Sequence, residues 1–358
     1  MLLSQIHVAG PSGLDRLTLR LDDASGAPRR LVVLFGGDGV GKTSLLAAIA
    51  TTRPGHAVAQ GSAPSGAPDA FPPYASADWL LGDDDPARPH PLRVVSPNAK
   101  LPDERDEAAS LRRREQGIFD RRAGDGGFAL VSFSGARWFS RAPVLLTSPE
   151  RTILRHDVRT AASFDDATRA DLTRETKAIL AYAASASAIA RARGAHAATE
   201  ISARRLHALD RAINDALAAV LEGTGASYLG ASERTLEPLF ALGHREVELD
   251  ELPRSVRHRV AFVALTVRAL AAAYPARDPR EAEGVVLLDD LEAQQPEGRT
   301  LAGLPTQLRA ALPRVQWILT TASPQVAAAC EEGEVVALRR LPGSALVEVH
   351  HGPMAMVH

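Results

Sequence analysis

The stretch Leu31-Val32-Val33-Leu34-Phe35-Gly36-Gly37-Asp38-Gly39-Val40-Gly41-Lys42-Thr43-Ser44-Leu45-Leu46 decides how the chain is read. Its first five residues are apolar without interruption, the pattern of a strand buried on both faces. The next eight match G-x-x-x-x-G-K-[ST] at every fixed position, and KTSLLAAIAT at 42–51 reads as a helix. A strand, a glycine-rich turn and a helix give this motif the context it needs. Glycines let successive backbone N–H groups curl around an anion without Cβ clashes, and the helix N-terminus adds the positive end of its dipole. Lys42 supplies a point charge for β- and γ-phosphates, and the Thr43 hydroxyl can sit on Mg²⁺. Gly36, Gly37, Asp38, Gly39, Val40, Gly41, Lys42, Thr43 and Ser44 are therefore the candidate mononucleotide-binding residues. The alternative is a glycine-rich turn without a ligand. Lys42 has a second mark: only three of the chain's 41 basic residues are lysines, the others being Lys100 and Lys177. Where arginine has replaced lysine almost throughout, a retained lysine in a phosphate loop stands out.

A nucleoside triphosphatase of this class also needs a carboxylate on a neighbouring strand to hold the metal and a group to orient the attacking water. Val285-Val286-Leu287-Leu288-Asp289-Asp290 ends an apolar strand in two carboxylates. Asp289 is the candidate for Mg²⁺ and Asp290 for the water, with Lys42 and Asp290 as the catalytic pair. Acidic residues also end strands with no function, and only the loop at 36–43 makes this pair informative.

Outward from these two blocks, residues 3–8 and 15–21 alternate as strands of an antiparallel edge. Residues 53–73 are rich in Pro, Gly, Ser and Ala and predict a surface loop. Residues 78–140 predict short strands and turns around the charged stretch at 104–115, with a strand at 128–133. From 164 to 222 the spacing of Leu206, Leu209, Ile213, Leu217 and Val220 predicts a helical pair turning near Arg193–Gly194. That pair is either a lid or arm or a plainly packed subdomain, and its arginines read as a solvated face. A helix over 254–273, strands at 284–290 and 316–323, and a hairpin over 334–350 complete the chain. Buried strands alternating with helices predict an α/β fold with a sheet covered on both faces.

The 358 residues are 45% hydrophobic and 23% charged, in the ordinary globular range. With 41 basic and 43 acidic residues, overall charge gives no footprint for nucleic acid or an anionic membrane. The single cysteine, Cys330, excludes disulfides within the chain and cysteine-rich metal sites. No signal-peptide pattern and no run long enough to span a bilayer are read from it, so the expectation is a cytoplasmic protein without membrane insertion. His350, His351 and His358 lack spaced partners and read as solvated. Arg137, after the 128–133 strand, reads either as a sensor of the γ-phosphate or of a neighbouring domain, or as a surface ion pair or carbonyl cap.

With these blocks in place, the chain resembles the ABC-type ATPases of the SMC/RecF/OLD group, the soluble branch often described as AAA family ATPases. The resemblance rests on GGDGVGKTSLLAAIA, on GHREVELDELPRSVRHRVAFVALTV at 243–267, on LLDDLEAQQP at 287–296 and on PRVQWILTTASPQV at 313–326. It implies a P-loop ABC/RecF-like head with a mixed sheet, an antiparallel N-terminal edge and an inserted β-rich and helical lid region. The implied division is an ATPase core over 1–52 and 241–358, an insert over 53–163 and a lid or arm over 164–240. It implies ATP and Mg²⁺ as ligands, and a homodimer or hetero-oligomer through the head with a separate effector protein. Such heads usually serve DNA repair, chromosome handling or anti-phage defence, so nucleic acid stays among the partners although the charge does not point to it.

The chain departs from the family pattern at four places. In the best register of the signature, Leu252-Pro253-Arg254-Ser255-Val256-Arg257, Pro253 stands where Ser is usual and Ser255 where Gly is usual. Ser255 and Arg257 are the candidate contacts to a nucleotide held by an opposite subunit. Asp290 replaces the usual Glu, Ala322 replaces the switch histidine, and Gln60 and Gln116 are weak candidates for the glutamine loop. The first expectation is thus an ATP-driven molecular switch with slow turnover. The alternatives are a nucleotide-binding scaffold with weak or no hydrolysis, and the ATPase subunit of a transporter.

Overall fold

The computed structural model describes residues 1–10, 14, 16–54, 73–122, 127–148, 171–193, 197–295, 298–341 and 346–355. Most of the predicted loop at 53–73, the turn at Gly194, Gln60 and His358 lie outside the described residues.

A six-stranded sheet organises the molecule, in the order β13-β12-β3-β11-β10-β6. Its central strands are β3 (Leu31–Phe35), β11 (Val315–Thr321) and β10 (Gly284–Leu288), flanked by β6 (Leu130–Phe133) and β12 (Val335–Arg340), all parallel. Only β13 (Val347–His351) runs antiparallel, as a hairpin with β12. Alternation along each strand explains why both faces had to be apolar. Val32, Leu34, Val285, Leu287 and Ile318 point into one core, and Leu31, Val33, Val286, Leu288, Trp317 and Leu319 into the other.

The first core is closed by α1 (Lys42–Thr51) and a four-stranded antiparallel sheet. That sheet joins β1 (Leu2–Ala9) and β2 (Arg16–Arg20) to β4 (Tyr74–Leu80) and β5 (Leu92–Ser96) in the order β2-β1-β4-β5. The second core is closed by helices, chiefly α3 (Thr173–Arg193), α4 (Ala197–Leu221) and α5 (Arg254–Ala273). The short helices α6 (Arg299–Ala302) and α7 (Leu304–Ala311) add Leu301, Leu304 and Leu308 to it, and α8 (Pro324–Ala328) follows β11. The second half of α4 is packed through Leu209, Ala212, Ile213, Ala216, Leu217 and Val220 into this shared core, while Ile189 and Ile201 near the hairpin tip are exposed.

Two parts differ from the expectation. From Asp106 on, the charged stretch at 104–115 lies in a 17-residue helix, α2 (Asp106–Arg122), not among strands and turns. Asp106 and Glu107 in its first turn and Arg121 and Arg122 in its last complement the helix dipole. Its buried stripe, Ala109, Arg112, Gln116 and Phe119, is half polar, so no apolar period betrays it. Arg112 is satisfied by Glu104, Asn98 and the Ala99 carbonyl, and Gln116 by both backbone groups of Val95. The second is a three-stranded antiparallel sheet, β7 (Ala226–Ala231), β8 (Pro238–Leu242) and β9 (Arg245–Glu248), not foreseen between the helical pair and α5. Buried Lys177 of α3 ties to it and to the turn before α5 through Glu237 and Asp250.

Candidate functional site

Parallel neighbours end on one edge of a sheet, and in open α/β sheets that edge is where ligands bind. Here β3 runs into the glycine-rich loop, β10 into Asp289 and Asp290, β11 into Thr320–Ala322, and β6 into Ser134–Arg137. Sheet order alone therefore gathers four segments that are distant in the chain, from the loop beginning at Gly36 to the segment ending at Ala322. Between them is a cavity of about 340 Å³ lined by Asp38, Gly39, Gly41, Lys42, Thr43, Ser44, Gly135, Asp289, Asp290, Glu292, Thr320 and Ala322.

The loop's glycines have different reasons. A Cβ on Gly36 would lie 2.6 Å from the Leu338 carbonyl oxygen, because β12 passes directly beside it. Gly41 precedes α1 at φ 99°, a conformation that L side chains avoid. Gly37 is exposed and Val40 is packed into the core. Lys42 Nζ donates to the carbonyls of Gly36 (2.6 Å) and Gly37 (2.9 Å), so the ammonium is folded back over its own loop.

Thr43 Oγ1 donates to the Asp289 carboxylate at 2.9 and 3.1 Å. Thr320 Oγ1 donates to the same carboxylate at 2.7 Å and accepts from the Asp290 N–H at 2.7 Å. Asp289 is buried at 7% exposure, its carboxylate held by Thr43 at the start of α1 and by Thr320 on β11. Asp290 takes φ 49°, a left-handed value for a residue with a side chain. Burial raises its pKa, nearby Glu292 and Asp289 add to the rise, and Arg137 and Lys42 oppose it. Glu292 accepts from Thr321 Oγ1 (2.8 Å) and from the backbone N–H of Ala322 (2.5 Å). Ala322 lines the cavity and offers it no side-chain hydrogen bond.

Arg137 is 2% exposed, so the reading of a surface ion pair is corrected. Its guanidinium caps carbonyls: Nη1 donates to Asp289 O (2.7 Å) and Ser134 O (3.1 Å), and Nη2 to Asp290 O (2.8 Å) and Ala293 O (3.0 Å). Burial pushes its pKa down to about 10 against the pull of Asp290, Asp289 and Glu292, which leaves it charged at neutral pH. Ser255 and Arg257 lie in the first turn of α5 and do not line the cavity. The Ser255 carbonyl accepts from Gln295 Nε2 at 3.3 Å, and Arg257 stacks on the Phe139 ring at 5.3 Å. Gln116 is spent on Val95 and does not reach the cavity. Cys330 donates to the Val326 carbonyl, and burial pushes its thiol up to about 12. His350 pairs with Glu348 at 3.2 Å on β13.

Sequence reasoning missed Thr320 and Glu292 as site residues, and it left Arg137 between two readings. The TT pair closing the 316–323 strand was the available signal for the first. Glu292 stands in the acidic stretch after β10 with nothing local to mark its partners, and the role of Arg137 comes from the loop that β10 places beside it.

No family model and no curated protein matches the chain. Among solved structures, it is similar to the SMC head bound to the C-winged helix domain of ScpA, with a TM-score of 0.53 at 11% identity over 99% of both chains. It also matches the SMC head domain from Thermotoga maritima, with a TM-score of 0.46 at 12% identity over 98% of this chain and 99% of that one. A bacterial ABC transporter cassette, MJ0796, matches at a TM-score of 0.34 and 14% identity over 93% of each. The fold is the P-loop α/β fold of an SMC head. Among the described residues, no helix is long and apolar enough to cross a membrane.

Proposed function

We propose that the chain is an ATP-binding, ATP-hydrolysing molecular switch of the SMC/RecF/OLD kind, with ATP and Mg²⁺ as its ligands. One observation carries this reading: the phosphate loop faces Asp289 and Asp290 across a single cavity, with the Thr43 hydroxyl already on the Asp289 carboxylate. Hard oxygen donors at that spacing suit a Mg²⁺ ion shared between threonine and carboxylate. When bound, Mg²⁺ neutralises charge on the β- and γ-phosphate oxygens. The residues supply the rest. Backbone N–H groups of 37–43 cradle the phosphates, and Lys42 turns from its loop carbonyls to the β- and γ-phosphates. The Asp290 carboxylate orients the attacking water.

Ser255 and Arg257 fit the trans contacts of a head-to-tail dimer, since they lie off the chain's own cavity. The division into a core over 1–52 and 241–358, an insert over 53–163 and a lid or arm over 164–240 is part of this proposal. So are a separate effector protein, a cytoplasmic location and a role in DNA repair or anti-phage defence. A second reading, a scaffold that binds ATP but barely hydrolyses it, is favoured by the bare methyl of Ala322 at the switch position and by Asp290, one methylene shorter than glutamate. Losing one positioned polar group in such a site costs about 10²–10³ in rate.

Steady-state ATP hydrolysis beside light-scattering mass decides between them, with Lys42→Ala and Asp290→Asn as controls. Turnover abolished by both substitutions, with mass doubling on ATP, supports the switch. Tight ATP binding lost in Lys42→Ala, with no turnover in the native chain, supports the scaffold. No ATP binding by the native chain sinks both.

A further inference from the structure

The loop from Asp289 to Gln295 holds two non-glycine residues in left-handed backbone, Asp290 at φ 49° and Gln294 at φ 65°. Each such conformation is strained for an L-residue with a side chain and persists only where surroundings enforce it. One side of the enforcement is Arg137, whose fork gathers the carbonyls of Asp289, Asp290 and Ala293. The other is the start of α5: Arg254 donates to Gln294 Oε1 at 3.1 Å, and Gln295 Nε2 donates to the Ser255 carbonyl. These two clamps are themselves joined. The Arg137 guanidinium lies 5.1 Å from the centre of the Phe262 ring, on the third turn of α5. Phe262 packs edge-on to Phe133 at the end of β6 (5.1 Å), and His258, one turn earlier, packs edge-on to Phe139 (5.0 Å), which carries Arg257.

We infer that Arg137 is a positioning residue that holds the carboxylate loop in the conformation aiming Asp289 and Asp290 at the phosphate loop, and couples that loop to the first turns of α5 through Phe262. Arginine is required because carbonyls arriving from several directions need a planar fork of donors, which the three donors of a lysine ammonium do not reproduce. Movement of α5 slides Phe262 under the guanidinium, and the carbonyls that set both carboxylates follow. The helix that would meet a second subunit is thereby linked to the group that would orient water in its own subunit. The kinetic part of this inference rests on the ATPase reading, and the conformational part does not.

Hydrogen exchange on the full chain without nucleotide tests the conformational part, using Arg137→Lys and Phe262→Leu, each checked for a native-like thermal transition. In Arg137→Lys the amides of 291–295 are expected to exchange at least about tenfold faster, with 256–260 following and α1 unchanged. Phe262→Leu keeps the guanidinium and decides the coupling if the lysine variant does not fold: it too should loosen both segments. A folded variant exchanging at native rates over 291–295 overturns the inference. The kinetic arm measures ATP affinity by titration beside kcat and KM. Affinity should stay within about threefold while kcat falls roughly 10²-fold, the cost of misplacing a reacting group by an ångström. Equal losses in affinity and kcat would make Arg137 a merely structural residue and overturn its positioning role. A native chain that binds no ATP defeats the ATPase reading, and the exchange result still decides on Arg137.

Discussion

At the residue scale, the two carboxylates after β10 are adjacent in the chain and differ in what surrounds their oxygens. Asp289 is held by Thr43 and Thr320, whereas Asp290 has burial and two acidic neighbours raising its pKa. A carboxylate must be ionised to accept a proton or orient water, so turnover should fail as pH drops through its pKa. Because that pKa lies above the ordinary aspartate value of about 3.9, the acid limb of kcat should lie above it too. Among the neighbouring charges Glu292 contributes most to the rise, so Glu292→Gln should move the acid limb downward. A kcat profile whose acid limb is identical in Glu292→Gln would show that another group sets it. The loop motif and the Asp289–Asp290 pair were readable from the chain because each has a fixed pattern beside a buried strand. Thr320, Glu292 and Arg137 were not readable as a set. They meet only because β11 lies between β3 and β10 and β6 flanks β10, an order that no local spacing encodes.

At the scale of elements, the strands at 31–35, 284–288 and 315–321 and the helices at 42–51 and 254–273 were legible because each is apolar on the period of its own geometry. Helix α2 was not, since Arg112 and Gln116 occupy core-facing positions normally filled by apolar residues. The test is Gln116→Leu, which keeps the shape and strands the backbone N–H and C=O of Val95 on β5. It should lower stability by about 1–3 kcal/mol, read as a shifted urea midpoint at unchanged slope. A midpoint equal to the native one would mean that water replaces the amide there. The loop makes a sharper case. In Gly36→Ala, the new methyl would stand 2.6 Å from the Leu338 carbonyl oxygen, a contact with backbone that no rotamer relieves. Either β12 moves from β3 or the loop shifts at its first residue. Both are expected to weaken ATP binding by about tenfold or more and to cost roughly 1–3 kcal/mol of stability. Unaltered affinity by titration would show that the loop's first glycine is not constrained by its neighbour.

At the scale of the molecule, the two cores share the central sheet, so the N-terminal antiparallel sheet and the helical layer respond to the same strands. Arg259 shows how far the helical layer is integrated: buried on α5, it reaches the Val220 carbonyl at the end of α4, the Thr300 carbonyl of α6 and Gln307 of α7. Such integration lets the start of α5 present a defined surface away from the chain's own cavity. Under the switch proposal, that surface completes the site of a second copy only when ATP bridges the two. Asp290→Asn should bind ATP without turning it over and so accumulate the dimer, visible as a doubled light-scattering mass. Adding Ser255→Trp places a bulky ring in the first turn of α5, whose links to the loop run through the Ser255 carbonyl and the Arg254 side chain and not through the serine hydroxyl. The double variant should keep its ATP affinity within about threefold, because affinity belongs to the loop of its own subunit, and should stay monomeric with ATP. Dimers forming unchanged in the double variant would exclude the start of α5 from the interface. The ATP-bound dimer would then have to form through another face, and Ser255 and Arg257 would lose their proposed role.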